Sequence, residues 1–265
     1  MDILKRSIAP ITDSAWDEID DMARTIIKAN LSARKFVDIK GPYGWDYAAV
    51  TTGRLGIYGG KKEKDVCYGI HTVHPLTELR KSFSLNIWEL DNVVRGAKDI
   101  ELDALVDAAK QIAHFEENAI YNGFQKGSIK GFKEELQYDP IKLTDDKKEI
   151  IKAVSGAVKT LVNNSVSGPY VLVVSPDIWE LISKYTEGYP LTKHLNEILE
   201  GGIILGPAID GAYLVSKRVG DTELTIGADY SIGYESHDSE KVNLFIAESF
   251  TFRILDPSVF IRFEI

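Results

Sequence analysis

The most informative stretch of this sequence is Arg34-Lys35-Phe36-Val37-Asp38-Ile39-Lys40-Gly41-Pro42-Tyr43-Gly44-Trp45-Asp46-Tyr47. It joins an amphipathic segment to a long polar one, and its Gly-Pro step predicts a turn. Three aromatic residues, Tyr43, Trp45 and Tyr47, surround that turn. They either pack rigidly at the bend or line a groove that binds a peptide or ligand. Because nothing in the stretch is typical of a catalytic site, we expect function to come from assembly.

The charge and composition of the chain narrow its function. Its 265 residues are 44% hydrophobic, which is enough for the core of one large domain or two modest ones. A net charge of −9 repels phosphate backbones, so we expect no nucleic-acid partner. No apolar run approaches the roughly 18 residues of a membrane span, so we expect no membrane partner. The first residues do not resemble a signal peptide and Cys67 is the single cysteine, which together indicate a cytoplasmic protein.

The spacing of apolar residues predicts long helices followed by short strands. Helical periodicity covers residues 12–31, 101–121 and 144–162. The apolar run Tyr170–Val174 predicts a buried strand, and Pro176 is typical of the first residue of a helix. Without a repeating series of alternating strands and helices, this order indicates an α+β fold. Further strands are expected at 203–205, 213–215, 224–226, 231–234, 242–247, 250–255 and 259–263.

Residues 41–79 predict a long β-hairpin with a charged tip at 59–65. This segment contains several glycines, which favour turns, and residues that favour strands flank them. An isolated two-stranded hairpin buries little apolar surface and is marginally stable in water. We therefore expect the hairpin to need a partner, either elsewhere in the same chain or in a neighbouring copy.

No motif predicts catalysis or a metal site. His71 and His74 are three residues apart in a strand-like region, so their rings point to opposite faces. His114, Glu116 and Glu117 reverse the order of the Glu-x-x-His element of carboxylate-bridged metal sites, and a solvated helix face is expected there. No nucleophile elbow of the form Gly-x-Ser-x-Gly is present. We expect no catalytic residue and no metal ligand.

Several dispersed motifs carry a resemblance to a known family. They are Leu4-Lys5-Arg6-Ser7-Ile8-Ala9-Pro10, residues 34–49, Glu78-Leu79-Arg80, Trp88-Glu89-Leu90-Asp91-Asn92, Gly168-Pro169-Tyr170, Gly188-Tyr189-Pro190-Leu191, Ser231-Ile232-Gly233-Tyr234 and Glu248-Ser249-Phe250-Thr251-Phe252. In these motifs and over essentially its full length, the chain resembles the encapsulin shell proteins of the smaller, family 1 type. The ordered set is more specific than any one motif.

The resemblance implies the fold of tailed-phage major capsid proteins. Residues 1–40 would form the N-terminal helix and an arm on the inner face, and residues 41–79 the extended loop. Residues 80–140 and 229–265 would form the peripheral domain, and 141–228 the axial domain. The extended loop would then lie on a neighbouring subunit, which supplies the partner that the hairpin needs. In this family, about sixty copies commonly close into an icosahedral cage.

The resemblance also implies a function. Encapsulin shells enclose a cargo enzyme, commonly a ferritin-like iron-storage protein or a dye-decolourising peroxidase, through a C-terminal targeting peptide rich in small and aliphatic residues. This peptide lies on the inner wall between the N-terminal helix and the peripheral domain. The residues implied to bind it are Ile19, Ala23, Ile26, Arg34, Phe36, Asp38, Ile39 and Phe252. The alternative for Ile19, Ile26 and Phe36 is that they are ordinary core residues.

Two further sites are implied. The loop with Glu187, Gly188 and Tyr189 would lie at a pore on the five-fold axis, where an acidic lining draws cations. Some relatives bind a flavin (FMN) at residues matching Arg80 and Trp88, although no cofactor is required for a shell; from the sequence alone, Trp88 is interpreted as a core residue. Two other classes stay open: a phage-type capsid protein and a stand-alone flavin-binding protein.

Overall fold

The structure is a computed structural model that describes residues 2–58 and 66–265. The predicted hairpin tip, at 59–65, lies outside these residues. The helices are α1 Asp13–Asn30, α2 Ile87–Val94, α3 Asp103–Asn122, α4 Lys147–Asn163, α5 Pro176–Ser183 and α6 Leu191–Leu199. The strands are β1 Asp38–Lys40, β2 Ala49–Tyr58, β3 Tyr68–Pro75, β4 Thr77–Asn86, β5 Ile141–Lys142, β6 Tyr170–Val174, β7 Glu200–Leu205, β8 Ala212–Ser216, β9 Thr222–Ile226, β10 Ser231–His237, β11 Lys241–Ile254 and β12 Phe260–Glu264.

The N-terminal helix α1 forms as its sequence predicts. The Thr12 hydroxyl accepts a hydrogen bond from the Ala15 backbone N–H at 3.4 Å and caps the helix. Ile19, Ala23 and Ile27 follow one another at helical spacing and are buried against α3 and the first sheet. The predicted helices α3 and α4 are also confirmed, with their ends within a few residues of the expected positions.

The first sheet is built around β11. Its strand order is β1-β9-β11-β10, and β4 also pairs with β11. The sequence predicted two strands here, 242–247 and 250–255, but β11 runs unbroken through Glu248 and Ser249. That prediction was wrong because both polar residues have partners inside the protein: Glu248 contacts Arg34, and the Ser249 hydroxyl accepts a hydrogen bond from the Ala228 backbone N–H.

The second sheet has the order β5-β12-β8-β6-β7. Its strand β6 is buried along its whole length, which confirms the prediction from its apolar run. The predicted domain ranges do not coincide with the sheets, because β9 pairs with β11 in the first sheet and β12 pairs with β8 in the second. The chain therefore passes between the two sheets more often than those ranges imply, and the domain division stays a prediction.

The hairpin of β2 and β3 extends away from the two sheets. Its strands pair in antiparallel register from Ala49 opposite Pro75 to Tyr58 opposite Tyr68. Large apolar side chains on both of its faces are solvent exposed, including Ile57 at 76%. The predicted hairpin is confirmed, and most of its large apolar side chains, unlike Val50, are not covered by the described part of the chain.

The bend at 41–47 redirects the chain into this hairpin. Gly41 has φ +109°, and a Cβ atom there would lie 2.3 Å from the backbone oxygen of Ile226, so only glycine fits. The backbone N–H of Tyr43 donates to that same oxygen at 3.1 Å. The rings of Tyr43 and Tyr47 lie 4.6 Å apart. These contacts favour rigid packing at the bend over a binding groove.

Candidate functional site

One cavity, of about 680 Å³, lies between α1, the N-terminal segment near Leu4 and the edge of the first sheet. We call it the trough. The backbone of Leu4 is held there because its oxygen accepts a hydrogen bond from the Tyr234 N–H at 2.8 Å. Since α1 lines the trough from Asp20 to its C-terminal end near Leu31, its length is about 16 Å at ~1.5 Å per helical residue.

The floor of the trough is apolar. Ala23, Ile27 and Leu31 project from one side of α1 because they recur every four residues. Ile232 of β10 and Ile246 of β11 face them from the sheet. All five side chains are at most 6% exposed, so they present a small apolar surface at the bottom of the cavity.

The rim of the trough is charged. At one end Arg6 pairs with Asp20 at 2.8 Å and stacks 3.9 Å from the ring of Trp16. Lys28 and Lys35 line the other end and are exposed. An extended peptide on the apolar floor would therefore meet charged groups at both ends.

Arg34 closes one side of the trough and is bound to carboxylates. Its Nε donates to Glu116 at 2.9 Å, and Nη1 donates to Asp229 at 2.9 Å. Its Nη2 donates to Glu116 at 2.6 Å and to Glu248. Although burial opposes the change, the hydrogen bonds and charges of Glu116 and Glu248 raise the pKa of Arg34. Arg34 thus shapes the trough, and its hydrogen bonds already go to carboxylates of the chain itself.

The expectation of a solvated face at Glu116 and Glu117 was wrong, because both side chains are fully buried. Glu117 accepts hydrogen bonds from the Ser32 hydroxyl and, at 2.9 Å, from the Ala33 backbone N–H. Burial raises the pKa of Glu117 to about 7, against the opposing effect of these hydrogen bonds. The signal was present in the sequence: both residues lie four positions after Ile112 and Ala113, on the buried side of α3.

The structure brings only some of the implied peptide-binding residues to the trough. Ala23 and Arg34 line it, whereas Ile26 is half-buried elsewhere on α1. Ile19 is fully buried, as the core alternative proposed, and it does not line the trough. The sequence did not indicate Ile232 and Ile246, because strands distant in sequence supply that wall.

The other four residues of that set lie outside the trough. Phe36 and Phe252 pack against Phe132, with ring centroids 6.0 and 5.5 Å away, inside the hydrophobic core. Asp38 accepts a hydrogen bond from the Gly220 backbone N–H at 2.5 Å. Ile39, on β1, is exposed. None of these four residues lines the trough.

The predicted pore loop connects α5 to α6, and Glu187, Gly188 and Tyr189 are all exposed. Lys147, the first residue of α4, donates hydrogen bonds to the backbone oxygens of Glu187 at 3.2 Å and Tyr189 at 2.6 Å. The Tyr189 hydroxyl donates to Glu197. The loop is therefore anchored at both ends while its tip faces solvent.

The two implied flavin-binding residues do not converge within one chain. Trp88 is 69% exposed, so its interpretation as a core residue was wrong. The guanidinium of Arg80 lies 4.0 Å from the ring centroid of Phe245. Six strand residues separate Arg80 from the end of β4, a distance of about 20 Å at ~3.3 Å per residue. The flavin site stays a prediction.

Within residues 2–58 and 66–265, no group of three or more histidine, cysteine or acidic side chains is placed to hold a metal ion. None of the helices in the same ranges combines the length and apolar character that are needed to span a bilayer.

The fold is that of the capsid-type shell proteins. A virus-like particle from Pyrococcus furiosus is similar with a TM-score of 0.65 and 18% identity, covering 94% of this chain and 99% of that one. The capsid of Myoviridae phage XM1 is similar with a TM-score of 0.55 and 12% identity, covering 88% of this chain and 91% of that one. At these identities the likeness establishes the fold, and it confirms the predicted capsid fold.

The sequence comparisons define the family. Residues 1–251 match the family Linocin_M18, described as "Encapsulating protein for peroxidase". The type 1 encapsulin shell protein of Rhodospirillum rubrum is 39% identical over 97% of this chain and 94% of its own length. That of Mycolicibacterium paratuberculosis is 39% identical over 95% of each chain. This chain belongs to the encapsulin shell-protein family, which confirms the predicted structural, non-enzymatic role and does not favour a phage capsid protein.

Proposed function

We propose that copies of this chain close into an icosahedral shell of about sixty subunits in the cytoplasm, and that the trough binds the C-terminal tail of the enclosed enzyme. The main observation that supports the proposal is the trough, an apolar cavity between the N-terminal helix and the first sheet, where the family resemblance implies a cargo peptide. Its length of about 16 Å accommodates roughly five extended residues at ~3.3 Å each.

The exposed hairpin supports assembly. Leu55 and Ile57 lie on one face, and Tyr58 and Ile70 lie on the other, because side chains alternate along a strand. Exposed apolar surface on an extended two-stranded ribbon is costly unless a partner covers it. A second copy of the chain is the partner that a closed shell provides. We therefore infer that the hairpin lies on a neighbouring subunit.

Of the two cargo classes implied by the resemblance, we favour the peroxidase. The matched family is described as encapsulating a peroxidase, which supports this choice. A ferritin-like iron-storage enzyme is the second candidate. Both would use the same trough, because the tail and not the enzyme contacts it.

The test is a reporter protein that carries the C-terminal tail of a candidate cargo, produced together with the shell. In the variant Lys28→Trp, an indole replaces an exposed side chain of α1 that lines the trough. We expect shells of unchanged size that lack the reporter. The control, Ser239→Trp, places the same side chain at an exposed site outside the trough and should retain it. Equal reporter content in both variants would exclude the trough as the binding site.

A further inference from the structure

Three fully buried carboxyl groups meet behind the wall of the trough. Glu116 and Glu117 reach the cluster from α3, and Glu248 reaches it from β11. Arg34 supplies the one guanidinium. Because its Nη2 donates to both Glu116 and Glu248, oxygen atoms of these two carboxyl groups lie within a few ångströms of each other.

The cluster has more acid than its cation can neutralise. The groups that face it are Ser32 and Arg34 from the arm, Glu116, Glu117 and Tyr121 from α3, Asp229 and Tyr230 before β10, and Glu248 from β11. With all carboxyls ionised, one positive charge would face three fully buried negative charges and the half-exposed Asp229. Such uncompensated burial of charge is strongly unfavourable, so the cluster must retain protons.

In the part of the chain that the structure describes, one oxygen of Glu248 lacks the partner that a buried negative charge needs. Among the described residues, Glu248 Oε2 is buried and accepts or donates no hydrogen bond. A carboxyl that stays protonated needs no cation for that oxygen. Burial and the neighbouring charge of Glu116 raise the pKa of Glu248 well above its usual value.

The cluster holds one wall of the trough. Arg34 and Tyr230 line the cavity on one side and contact the buried carboxyls on the other, and Asp229 lines the cavity and pairs with Arg34. Residues 31–36, which follow α1, are fixed to α3 by polar contacts and by packing: Glu117 binds both Ser32 and the backbone of Ala33, and Ala33 and Phe36 are buried in the hydrophobic core. Opening of this segment would change the shape of the trough.

We propose that the three buried glutamates and Arg34 form a proton-dependent lock on the trough. While the cluster keeps its protons, residues 31–36 stay closed against α3 and β11 and the trough holds its peptide. When the protons are lost, water enters, the segment opens and the peptide is released. The release of peptide rests on the proposed cargo function, whereas the opening of the segment does not.

Proton linkage determines the direction and the size of the effect of pH on closure of residues 31–36. Glu117 has a raised pKa in the closed state, so closure is favoured fully below pH about 4.5 and less as the pH rises to about 7. Each proton released on opening changes the opening equilibrium by about tenfold per pH unit. Over this window Glu117 alone would favour opening by about 300-fold. Glu248 would extend the effect to higher pH.

The experiment uses assembled shells of the wild type, Glu117→Gln, Glu248→Gln and the control Glu149→Gln, an exposed glutamate on α4. Hydrogen exchange of residues 31–36, corrected for the intrinsic effect of pH, is compared with exchange of the buried strand β6. Binding of a synthetic cargo-tail peptide is measured in parallel. We expect opening and peptide release to rise with pH in the wild type and control, and the Gln variants to reduce that dependence.

The two readouts separate the two claims. If opening depends on pH but the peptide binds at no pH, the cargo function of the trough fails and the lock stands. If the peptide binds and opening of residues 31–36 in wild type does not change with pH, the lock is wrong. That wild-type result is sufficient even if the Gln variants fail to assemble. An equal pH dependence in the wild type and both Gln variants would also overturn the lock.

Discussion

The substitution Ile57→Asp on the exposed hairpin tests how the shell is held together. Complete burial of an isoleucine side chain contributes about 1.5–3 kcal/mol. Because Ile57 is 76% exposed in the single chain, most of that gain, about 1–2 kcal/mol, is available to a neighbouring subunit. Its loss weakens each contact by roughly 5- to 30-fold, and the aspartate adds the cost of burying a charge.

The assay is sedimentation of the purified protein over a series of concentrations. We expect Ile57→Asp to need a protein concentration at least roughly 5- to 30-fold higher than the wild type to form shells, because each subunit provides one hairpin. The control, Val219→Asp, changes a residue that is equally exposed, at 77%, between β8 and β9. Assembly of Ile57→Asp at the wild-type concentration would refute the assignment of the hairpin to an interface, and equal loss in both variants would point to charge alone.

Other substitutions test separate parts of the account. Ile26→Asp changes a residue of α1 that the family resemblance implied to bind the peptide but that does not line the trough, so we expect intact shells that keep a tailed reporter; loss of the reporter would extend the binding site beyond the trough. Phe252→Ala leaves a core cavity and should lower the free energy of unfolding by about 3–5 kcal/mol in denaturant titration, without a specific effect on peptide affinity. Lys147→Met removes two hydrogen bonds to the pore loop and should speed hydrogen exchange at 187–189, with unchanged rates in β6 as the control. If shells bind flavin, Trp88→Ala should remove its absorbance, and an unchanged spectrum would exclude stacking on this exposed indole.

The main helices and the hairpin could be predicted because their signals are local. Apolar spacing identified α1, α3 and α4, and glycines with strand-forming flanks identified β2 and β3. The continuity of β11 could not be predicted locally, because Glu248 is polar and its partner Arg34 lies 214 residues earlier. The burial of Glu116 could not be predicted locally either, because its partner is the same arginine.

The candidate site was only partly accessible from the sequence. Ala23 and Arg34 were expected to bind the tail, and the structure places both at the trough. Its opposite wall, with Ile232 and Ile246, comes from strands whose pairing the sequence does not reveal. Phe252 has the aromatic character of a binding residue but faces the core. Whether Phe252 faces the core or a binding site depends on the face of the strand to which it points, and residue type does not reveal that face.

Electron cryomicroscopy of shells produced together with a tailed cargo would locate both the hairpins and the bound tail. We expect a closed icosahedral shell with hairpins on neighbouring subunits and peptide density of about five residues in the trough, between α1 and β10. Closed shells that contain the cargo but show an empty trough, with density for the tail elsewhere, would contradict this expectation.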